Sequence, residues 1–316
     1  MTGDARIVVG VDGSTNSLVA VDWALAEAGR LDARVVLCHV GRASGGRASG
    51  GLGGDGEDAL SAAERMLARG VRYARGRAPN VEAIPEPRSG GPAQQLLAAA
   101  SGAVLLVVGA RGDGGFHGLR LGSVSAQVAR HAHGTVVVVP NLGDRAGAER
   151  DPQIVVGVDG SPGSDDALAF AFAEAVRRKA GVRAVHVFDA ATMQAMATLP
   201  QEDLYRLHVS AADTLRGLLR AHARAHPAVE VSRELLSGAP AATLAAASAT
   251  AELLVLGSRG HGDIATLMLG STSNTVLHNA QCPVAVVRGD PRSGRAHPRR
   301  RTVTRFAPKP SADIRG

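Results

Sequence analysis

The strongest constraint on the fold is an internal repeat. The octapeptide IVVGVDGS occupies residues 7–14 and recurs at residues 154–161, an offset of 147 residues. A second pattern, Gly-x-x-Gly followed by nine residues and then Gly-Ser, covers residues 109–123 and recurs at residues 257–271, an offset of 148. Because the two offsets agree to within one residue, the 316-residue chain is built from two copies of one unit, each about as long as an ordinary domain.

Each unit alternates short runs rich in Val and Leu with longer segments of helical periodicity. We predict strands in the first unit at residues 7–11, 35–40, 81–84, 104–108 and 135–139. We predict strands in the second unit at residues 154–158, 182–188, 229–235, 253–256 and 284–287. The long helices are expected at residues 14–29, 57–75, 165–180 and 202–225. Strands that are apolar along their whole length are typical of a parallel sheet covered by helices on both faces, so we predict an α/β protein with two repeated domains.

The charge of the chain is concentrated at one end. We place the first domain at residues 1–142, a polar linker at 143–152, the second domain at 153–290 and a basic tail, predicted to be disordered, at 291–316. The tail contains eight basic residues and one acidic residue, a net charge of +7 in a chain whose total is +6. The two domains are therefore close to neutral, which argues against a basic nucleic-acid-binding body.

The sequence also excludes several classes of protein. No apolar run is long enough to cross a bilayer, and the N-terminus lacks the basic start and apolar stretch of a signal peptide. We therefore expect a cytoplasmic protein without membrane association. The two cysteines are far apart in the chain and lie in or near apolar runs, which favours buried thiols over a disulfide framework.

The glycine pattern predicts a phosphate site, because glycines at fixed offsets after a strand let backbone amides approach an anion closely. In the first unit Gly109, Gly112 and Gly122 would turn the backbone around the phosphates. Ser123 would begin the next helix, where unpaired amides and the helix dipole favour negative charge. The second unit supplies Gly257, Gly260, Gly270 and Ser271 in the same roles. The alternative is a mobile lid or a tight turn that binds no ligand.

The loop after the first strand of each unit carries an aspartate. Asp12 and Asp159 could accept hydrogen bonds from ribose hydroxyls or an adenine amine, although an ordinary Asp-Gly turn is an equally good interpretation. Arg111 and Arg259 lie inside the glycine patterns and could pair with phosphate oxygens, or they could be solvated. If the first and fourth strands are neighbours, the two loops border one crevice at the carboxyl edge of the sheet, where α/β folds bind ligands.

The sequence lacks the phosphate-binding lysine motif that is typical of fast nucleotide-hydrolysing enzymes. There is no Gly-Lys-Ser or Gly-Lys-Thr loop, and the only lysines are Lys179 and Lys309. No Asp, Glu and His cluster indicates a committed metal site. We therefore expect a binding protein and not an enzyme, with slow hydrolysis at most.

With these motifs the chain resembles the universal stress protein family, as a tandem member of the ATP-binding type, over about residues 6–141 and 153–288. The resemblance rests on VGVDGS near the start of each unit and on the Gly-x-x-Gly-x9-Gly-Ser loop after the fourth strand. HNAQCPVAVVR at residues 278–288 also fits the family's passage from its last helix to its fifth strand. The first unit departs from that passage, with RHAHGTVVVVP at residues 130–140.

The resemblance implies a Rossmann-like domain of the adenine nucleotide alpha hydrolase type. Its five-stranded parallel sheet would have the order 3-2-1-4-5, with ATP at the carboxyl edge. Asp12 and Asp159 would contact the adenosine, and the backbone of Val40 and Val187 would meet the adenine edge. The phosphates would be held by Gly109, Gly112, Gly122, Ser123 and Val124 and by Gly257, Gly260, Gly270, Ser271 and Thr272. Mg²⁺ is the candidate for an accompanying cation.

The resemblance further implies that the two halves pair with each other through their fifth strands, at residues 136–139 and 284–287. A further homodimer and an unidentified protein partner remain open. The implied role is that of a cytosolic, nucleotide-responsive regulator of stress adaptation. Two alternatives are a weak ATPase or nucleotidyl-transfer enzyme, and a protein that binds nucleic acid or acidic proteins through the tail at residues 291–316.

Overall fold

A computed structural model of the protein describes residues 5–41, 55–112, 121–141, 152–258 and 269–289, with backbone alone at 55–60 and 191. The Gly-rich stretch at residues 41–56, which the sequence predicts to be a flexible loop, lies largely outside these residues, as do the linker and the basic tail. Where the structure describes the chain, the predicted strands and helices are present, with ends displaced by a few residues.

The first half alternates strands with helices. Its elements are β1 (Arg6–Gly10), α1 (Thr15–Leu31), β2 (Arg34–Gly41), α2 (Asp55–Arg77), β3 (Ala83–Ser89), α3 (Pro92–Ala99), β4 (Leu105–Gly109), α4 (Ser123–His131) and β5 (Val136–Val139). Helix α1 begins after Ser14, whose hydroxyl accepts a hydrogen bond from the amide of Ser17 and so caps the helix. Helix α3 begins with Pro92, whose fixed φ and missing amide proton suit the first helical position.

The second half repeats this order. Its elements are β6 (Gln153–Gly157), α5 (Pro162–Arg178), β7 (Gly181–Phe188), α6 (Ala190–Ala197), α7 (Gln201–Ala225), β8 (Val231–Ser237), α8 (Pro240–Ala247), β9 (Leu253–Gly257), α9 (Ser271–Asn279) and β10 (Val284–Val287). The sequence did not predict α6. Asp189 caps this helix by accepting from the amide of Thr192, and the helix ends before Pro200.

The third strand is longer than predicted. It was expected to end at Ile84, but β3 continues through Pro85 and Pro87 to Ser89. Prolines are tolerated here because, among the described strands, β3 pairs with β2 alone and forms the edge of the sheet. A proline on an edge strand can leave its missing amide proton on the unpaired side.

Within the described residues the strands form one ten-stranded sheet, in the order β3-β2-β1-β4-β5-β10-β9-β6-β7-β8. Each half therefore has the order 3-2-1-4-5 with parallel neighbours, as the resemblance implied. The halves join where β5 and β10 pair antiparallel, with Val137 opposite Ala285. These two residues are equivalent at an offset of 148, so a local two-fold axis passes between them.

Helices cover both faces of the sheet and bury a core made mostly of Ala, Val and Leu. Ile7 and Val9 belong to one apolar cluster, and Val8 belongs to the cluster on the opposite face. Both clusters continue into the second half, where Phe172 is fully buried. Burying each such side chain contributes roughly 1.5–3 kcal/mol. None of the helices in the described part of the chain has both the length and the apolar character needed to cross a membrane.

A buried ion cluster lies where α1 of the first half meets α5 of the second. Arg178 donates to Glu27 across the junction at 2.5 Å and to Glu174 on its own helix at 2.9 Å. It also donates to Glu252 at 2.7 Å. The side chain of Arg178 is 3% exposed, and those of Glu27 and Glu174 are 0% and 1% exposed. One guanidinium therefore pairs with a buried carboxyl from each half.

The two buried carboxyls have opposite pKa shifts. Burial raises the pKa of Glu27 to about 7, although the guanidinium of Arg178 opposes this, and the nearby carboxyl of Glu174 raises it further. Burial alone would raise the pKa of Glu174 as well, but Arg178 and Arg177 outweigh burial and lower it. Arg30 donates to Glu27 at 3.3 Å. Glu27 is therefore the member of the pair that holds a proton as the pH falls below neutrality.

Glu27 should make the stability of the protein depend on pH between about 4.5 and 7. Its pKa is higher in the folded chain, so the native state binds more protons in this window and the free energy of unfolding decreases as pH rises. We expect a Glu27-dependent loss on the order of 2 kcal/mol between pH 5 and pH 8. Urea unfolding of the wild type and of Glu27→Gln at both pH values measures it.

The matched control is Glu64→Gln, because Glu64 is exposed on α2. This variant should keep the wild-type pH dependence, whereas Glu27→Gln should flatten it. A Glu27→Gln variant with the full wild-type dependence would show that Glu27 is ionised throughout the window.

Candidate functional site

The topology brings the two motif-bearing loops of each half together. Strand β1 pairs in parallel with β4, and β6 pairs in parallel with β9. The loops that follow these strands therefore leave the same carboxyl edge side by side, as predicted. This edge is also where α/β sheets with a change of winding direction bind ligands.

Asp12 contacts both loops of the first half. Its Oδ1 accepts hydrogen bonds from the amide and the hydroxyl of Ser14, at 3.0 and 2.6 Å. Its Oδ2 lies against the glycine loop, because a Cβ atom built on Gly112 would be only 2.4 Å from it. Gly13 has a φ of 87°, a turn conformation that favours glycine. The Asp-Gly turn is therefore real, and it also carries a carboxylate to the glycine loop.

Asp159 is held in a similar way in the second half. Its Oδ1 accepts from the amide of Ser161 at 2.9 Å and from the hydroxyl of Ser164 at 2.6 Å. Gly160 repeats the positive φ, at 83°. Gly260, which corresponds to Gly112, lies outside the described residues. Both aspartates are half-buried and have one carboxylate oxygen fixed by serine.

The glycines of the two loops differ in how tightly the surrounding atoms constrain them. A Cβ on Gly109 would be 2.7 Å from the backbone oxygen of Asn16, so the packing of β4 against α1 excludes a side chain there. At Gly122 the nearest atoms to a Cβ are 3.5 Å away, and at Gly270 they are 3.8 Å away. Both of these residues have negative φ and extended backbone. Among the described residues, packing therefore demands glycine at position 109 but not at positions 122 and 270.

The far end of each loop leads directly into a helix. Gly122 and Gly270 are the N-cap residues of α4 and α9, so Ser123 and Ser271 are the first helical residues, as predicted. The first intrahelical bonds are made by the amides of residues 126 and 274. The three amides before each of these have no position in the helical ladder. Ser123 and Ser271 are exposed, and Val124 and Thr272 behind them are half-buried.

Each loop is closed at its base by hydrogen bonds that the sequence did not reveal. The amide of Gly122 donates to Ala110 at 2.7 Å, and the amide of Gly270 donates to Ser258 at 3.1 Å. The hydroxyls of Ser125 and Ser273 donate to the carbonyls of Gly109 and Gly257, at 2.7 and 3.0 Å. A detectable signal was present, because the Gly-Ser-x-Ser spacing recurs in both halves.

Two histidines at the same edge were also missed. His39 Nδ1 donates to the carbonyl of Val11 at 2.7 Å, and His186 Nδ1 donates to that of Val158 at 2.8 Å. A carbonyl can only accept, which places the proton on Nδ1 in both rings. Val11 and Val158 directly precede the aspartates, so each histidine braces the backbone that carries the carboxylate. Their offset of 147 was the available signal.

Val40 and Val187 lie where predicted, next to the end of β2 and of β7, and both are half-buried. The residue that follows differs between the halves, with Gly41 in the first and Phe188 in the second. Phe188 is buried against Met196 of α6, and its ring meets that of His186 edge to face at 5.0 Å. In the second half, an apolar cluster of large side chains therefore lies beside the strand that carries Val187.

The described residues hold no group of three or more His, Cys, Asp or Glu side chains that could bind a metal ion. Arg111 is half-buried within the first glycine loop. Its counterpart Arg259 lies outside the described residues. What the structure assembles is thus a carboxylate, a glycine loop and a helix start in each half, without a protein-built metal centre in the part described.

Gly109→Ala should destabilise the protein by about 1–3 kcal/mol, because the new methyl group overlaps the backbone oxygen of Asn16. Gly122→Ala, in the same loop, should leave the free energy of unfolding within about 0.5 kcal/mol of wild type. Guanidinium unfolding of the two variants measures the difference. Equal losses in both would contradict the distinction between a glycine required by packing and one that is not.

Comparisons with known proteins agree on one family. A model of the universal stress protein family matches residues 5–140 and 152–288. A universal stress protein of Mycolicibacterium smegmatis is 34% identical over 289 residues, which cover 89% of this chain and 96% of the relative. A universal stress protein of Mycobacterium tuberculosis is 32% identical over 295 residues, with the same coverage.

The fold is shared more widely than the sequence. The crystal structure of a universal stress protein from Archaeoglobus fulgidus superposes with a TM-score of 0.64 at 20% identity, over 90% of this chain and 96% of that chain. That identity is low, so the superposition concerns the fold alone.

Proposed function

The chain belongs to the universal stress protein family, and we propose that each half binds one adenine nucleotide, with ATP as the expected ligand. In this proposal the protein is a cytosolic regulator whose nucleotide-bound state changes its interaction with a partner protein during stress adaptation. Turnover of the nucleotide is slow or absent.

The observation that carries the proposal is the contact between Asp12 and the glycine loop at the carboxyl edge. A half-buried carboxylate there stands beside a loop whose glycines leave the backbone accessible. Polar ribose and adenine groups need acceptors, and phosphates need amide donors, within one nucleotide length of each other. In the second half, Asp159 is held by serine in the same way and Gly270 starts the helix in the equivalent position.

The phosphate end is supported by the helix starts. The first amides of α4 and α9 precede the helical hydrogen-bond ladder and lie next to the exposed hydroxyls of Ser123 and Ser271. Such amides, with the helix dipole, favour an anion. Gly122 and Gly270 also fit this role, because the described residues around them leave room for a Cβ atom. A ligand close to the backbone would explain why these two positions have no side chain.

The adenosine end rests on Asp12 and Asp159 and on the backbone of Val40 and Val187. The histidines at positions 39 and 186 fix the strand-end carbonyls next to the aspartates. Because the histidines hold this backbone, the carboxylates of Asp12 and Asp159 are already in position, and ordering them on nucleotide binding costs less free energy.

Mg²⁺ would be held mainly by the nucleotide and water. Mg²⁺ commonly binds through substrate phosphates with one or two protein oxygens. Asp12 has one oxygen fixed by Ser14 and the other against Gly112, which suits an acceptor for the nucleoside better than a metal ligand. The exposed hydroxyl of Ser123 is a protein oxygen that would serve at the phosphate end.

We expect about two ATP molecules per chain by isothermal titration calorimetry. Gly122→Val places a side chain where the phosphates of the first site would pass and should reduce the stoichiometry to about one. Gly270→Val should do the same in the second half, and the double variant should bind no ATP. Unchanged stoichiometry in the double variant would rule out the glycine loops as the binding sites.

Two measurements keep this test specific. The unfolding midpoints of both variants should stay near wild type, because the nearest atoms to a Cβ at positions 122 and 270 are at ordinary contact distance. Gly76→Ala, on α2 with nothing within 4 Å of the added atom, is the matched control and should bind two ATP.

Steady-state turnover of ATP with excess Mg²⁺ should be far below about 1 s⁻¹, the low end of typical enzymes. A coupled assay of phosphate or diphosphate release measures it. Sustained turnover above that rate, lost in Gly122→Val/Gly270→Val, would replace the binding function with the alternative of an ATPase or nucleotidyl transferase.

A further inference from the structure

We propose that the buried charges between α1 and α5 make each half of the chain pair with the opposite half, and reject pairing of like halves from two chains. The interaction surface is the α1 face of the first half together with strand β5. Its fitting partner is the α5 face of the second half together with β10. This inference is independent of nucleotide binding.

The paired strands do not distinguish the halves by themselves. Strand β5 reads VVVV and β10 reads VAVV, and they pair antiparallel across the local two-fold axis. By the same geometry, β5 of one chain would meet β5 of another with Val137 opposite Val137. Exposed apolar edges of this kind pair readily with similar edges. Selection of the correct partner must come from other contacts.

The ion cluster is nearly symmetric but has one odd member. Glu27 and Glu174 occupy equivalent positions at an offset of 147, and so do Arg30 and Arg177. The position of Arg178, however, is taken by Leu31 in the first half. The two glutamates are thus common to both halves, whereas the buried arginine belongs to the second half only.

A second asymmetry supports the arginine from its own half. Glu252, which accepts from Arg178 at 2.7 Å, corresponds to Val104 in the first half. From the opposite half, the ring of Trp23 lies 5.5 Å from the guanidinium carbon of Arg178. Within the second half, Glu252 and Glu174 hold the guanidinium of Arg178 in position. From the first half, Glu27 and Trp23 contact it across the junction.

Only the mixed pairing places a single guanidinium between the two buried glutamates. One Arg178 lies between Glu27 and Glu174, whose carboxyls are close enough to hydrogen-bond to each other. Two first halves would bury two copies of Glu27 with two of Leu31 and no central guanidinium. Two second halves would bring two copies of Arg178 to one central place. Like charges buried together are strongly disfavoured, so both alternatives are penalised.

This arrangement fits a specificity role better than a stability role. A buried ion pair is often no more stabilising than apolar residues of similar size, whereas removal of one partner leaves an uncompensated charge and is strongly destabilising. In a chain with two similar halves, the high cost of an uncompensated buried charge disfavours every pairing that lacks one of the partners. Loss of the arginine should shift the equilibrium towards wrong pairing by roughly a hundredfold.

Val137→Cys reports like-half pairing. Directly opposite residues of an antiparallel pair have Cα atoms about 4.5–5.5 Å apart, within disulfide range. In the mixed pairing Cys at 137 meets Ala285 and forms no cross-link, whereas two first halves would bring two such cysteines together. The full-length protein is unfolded, refolded at about 100 µM and oxidised with diamide, and covalent dimers are measured on a non-reducing denaturing gel.

In the Val137→Cys background we expect almost no dimer. Adding Arg178→Leu, which copies the residue of the first half, makes all three pairings alike in buried charge and should raise the dimer fraction at least tenfold. Adding Leu31→Arg to that variant moves the arginine to the equivalent place on α1, four residues after Glu27, and should restore the low value. The wild type without Val137→Cys controls for Cys38 and Cys282, which are both buried.

Glu27→Gln/Glu174→Gln/Arg178→Leu keeps the test valid if Arg178→Leu alone does not fold. This variant removes both buried glutamates together with the arginine, and it should fold but also lose selectivity, with the same rise in dimer. The proposal is overturned if either variant that lacks Arg178 stays as free of dimer as Val137→Cys alone. It is also overturned if the transposed arginine fails to lower the dimer fraction, since the side chain would then act only through packing at its own position.

Discussion

The antiparallel pairing of β5 with β10 is the contact on which the rest of the structure depends. It joins two five-stranded parallel sheets into one and buries an edge that each half would otherwise expose. It also brings α1 and α5 together over the same axis, where Glu27, Glu174 and Arg178 are removed from water. The two similar strands supply the apolar contact between the halves, and the asymmetric ion cluster favours pairing of the first half with the second.

The functional edge of each half is fixed by the same topology. Because β1 pairs with β4, the aspartate loop and the glycine loop leave the sheet side by side. Ser14 and His39 hold one loop, and Ser125 ties the other to the end of its strand. The chain thus presents a carboxylate and a helix start in a fixed relation. Such preorganisation lowers the entropic cost of binding a ligand at this edge.

The sequence predicted the features that repeat locally and missed those that depend on distant partners. The strands and the helix starts at Gly122 and Gly270 follow from apolar runs and punctuating glycines. The predicted third strand ended too early, at residue 84, next to Pro85. Proline usually interrupts a strand, but the edge strand β3 accommodates it. Helix α6 was missed because a short Ala- and Met-rich segment after a strand has no clear period. The pairing of Glu27 with Arg178 joins residues 151 positions apart and exists only once the halves have docked.

The central claim is that each half binds an adenine nucleotide between its aspartate loop and its glycine loop. Amide hydrogen exchange, measured by mass spectrometry with and without ATP, tests it most directly because it locates the ligand on the backbone. The account predicts slower exchange at residues 10–14 and 109–125 and at residues 157–161 and 257–273. Exchange that is unchanged in all four segments at saturating ATP, or slowed only in residues 291–316, would contradict it.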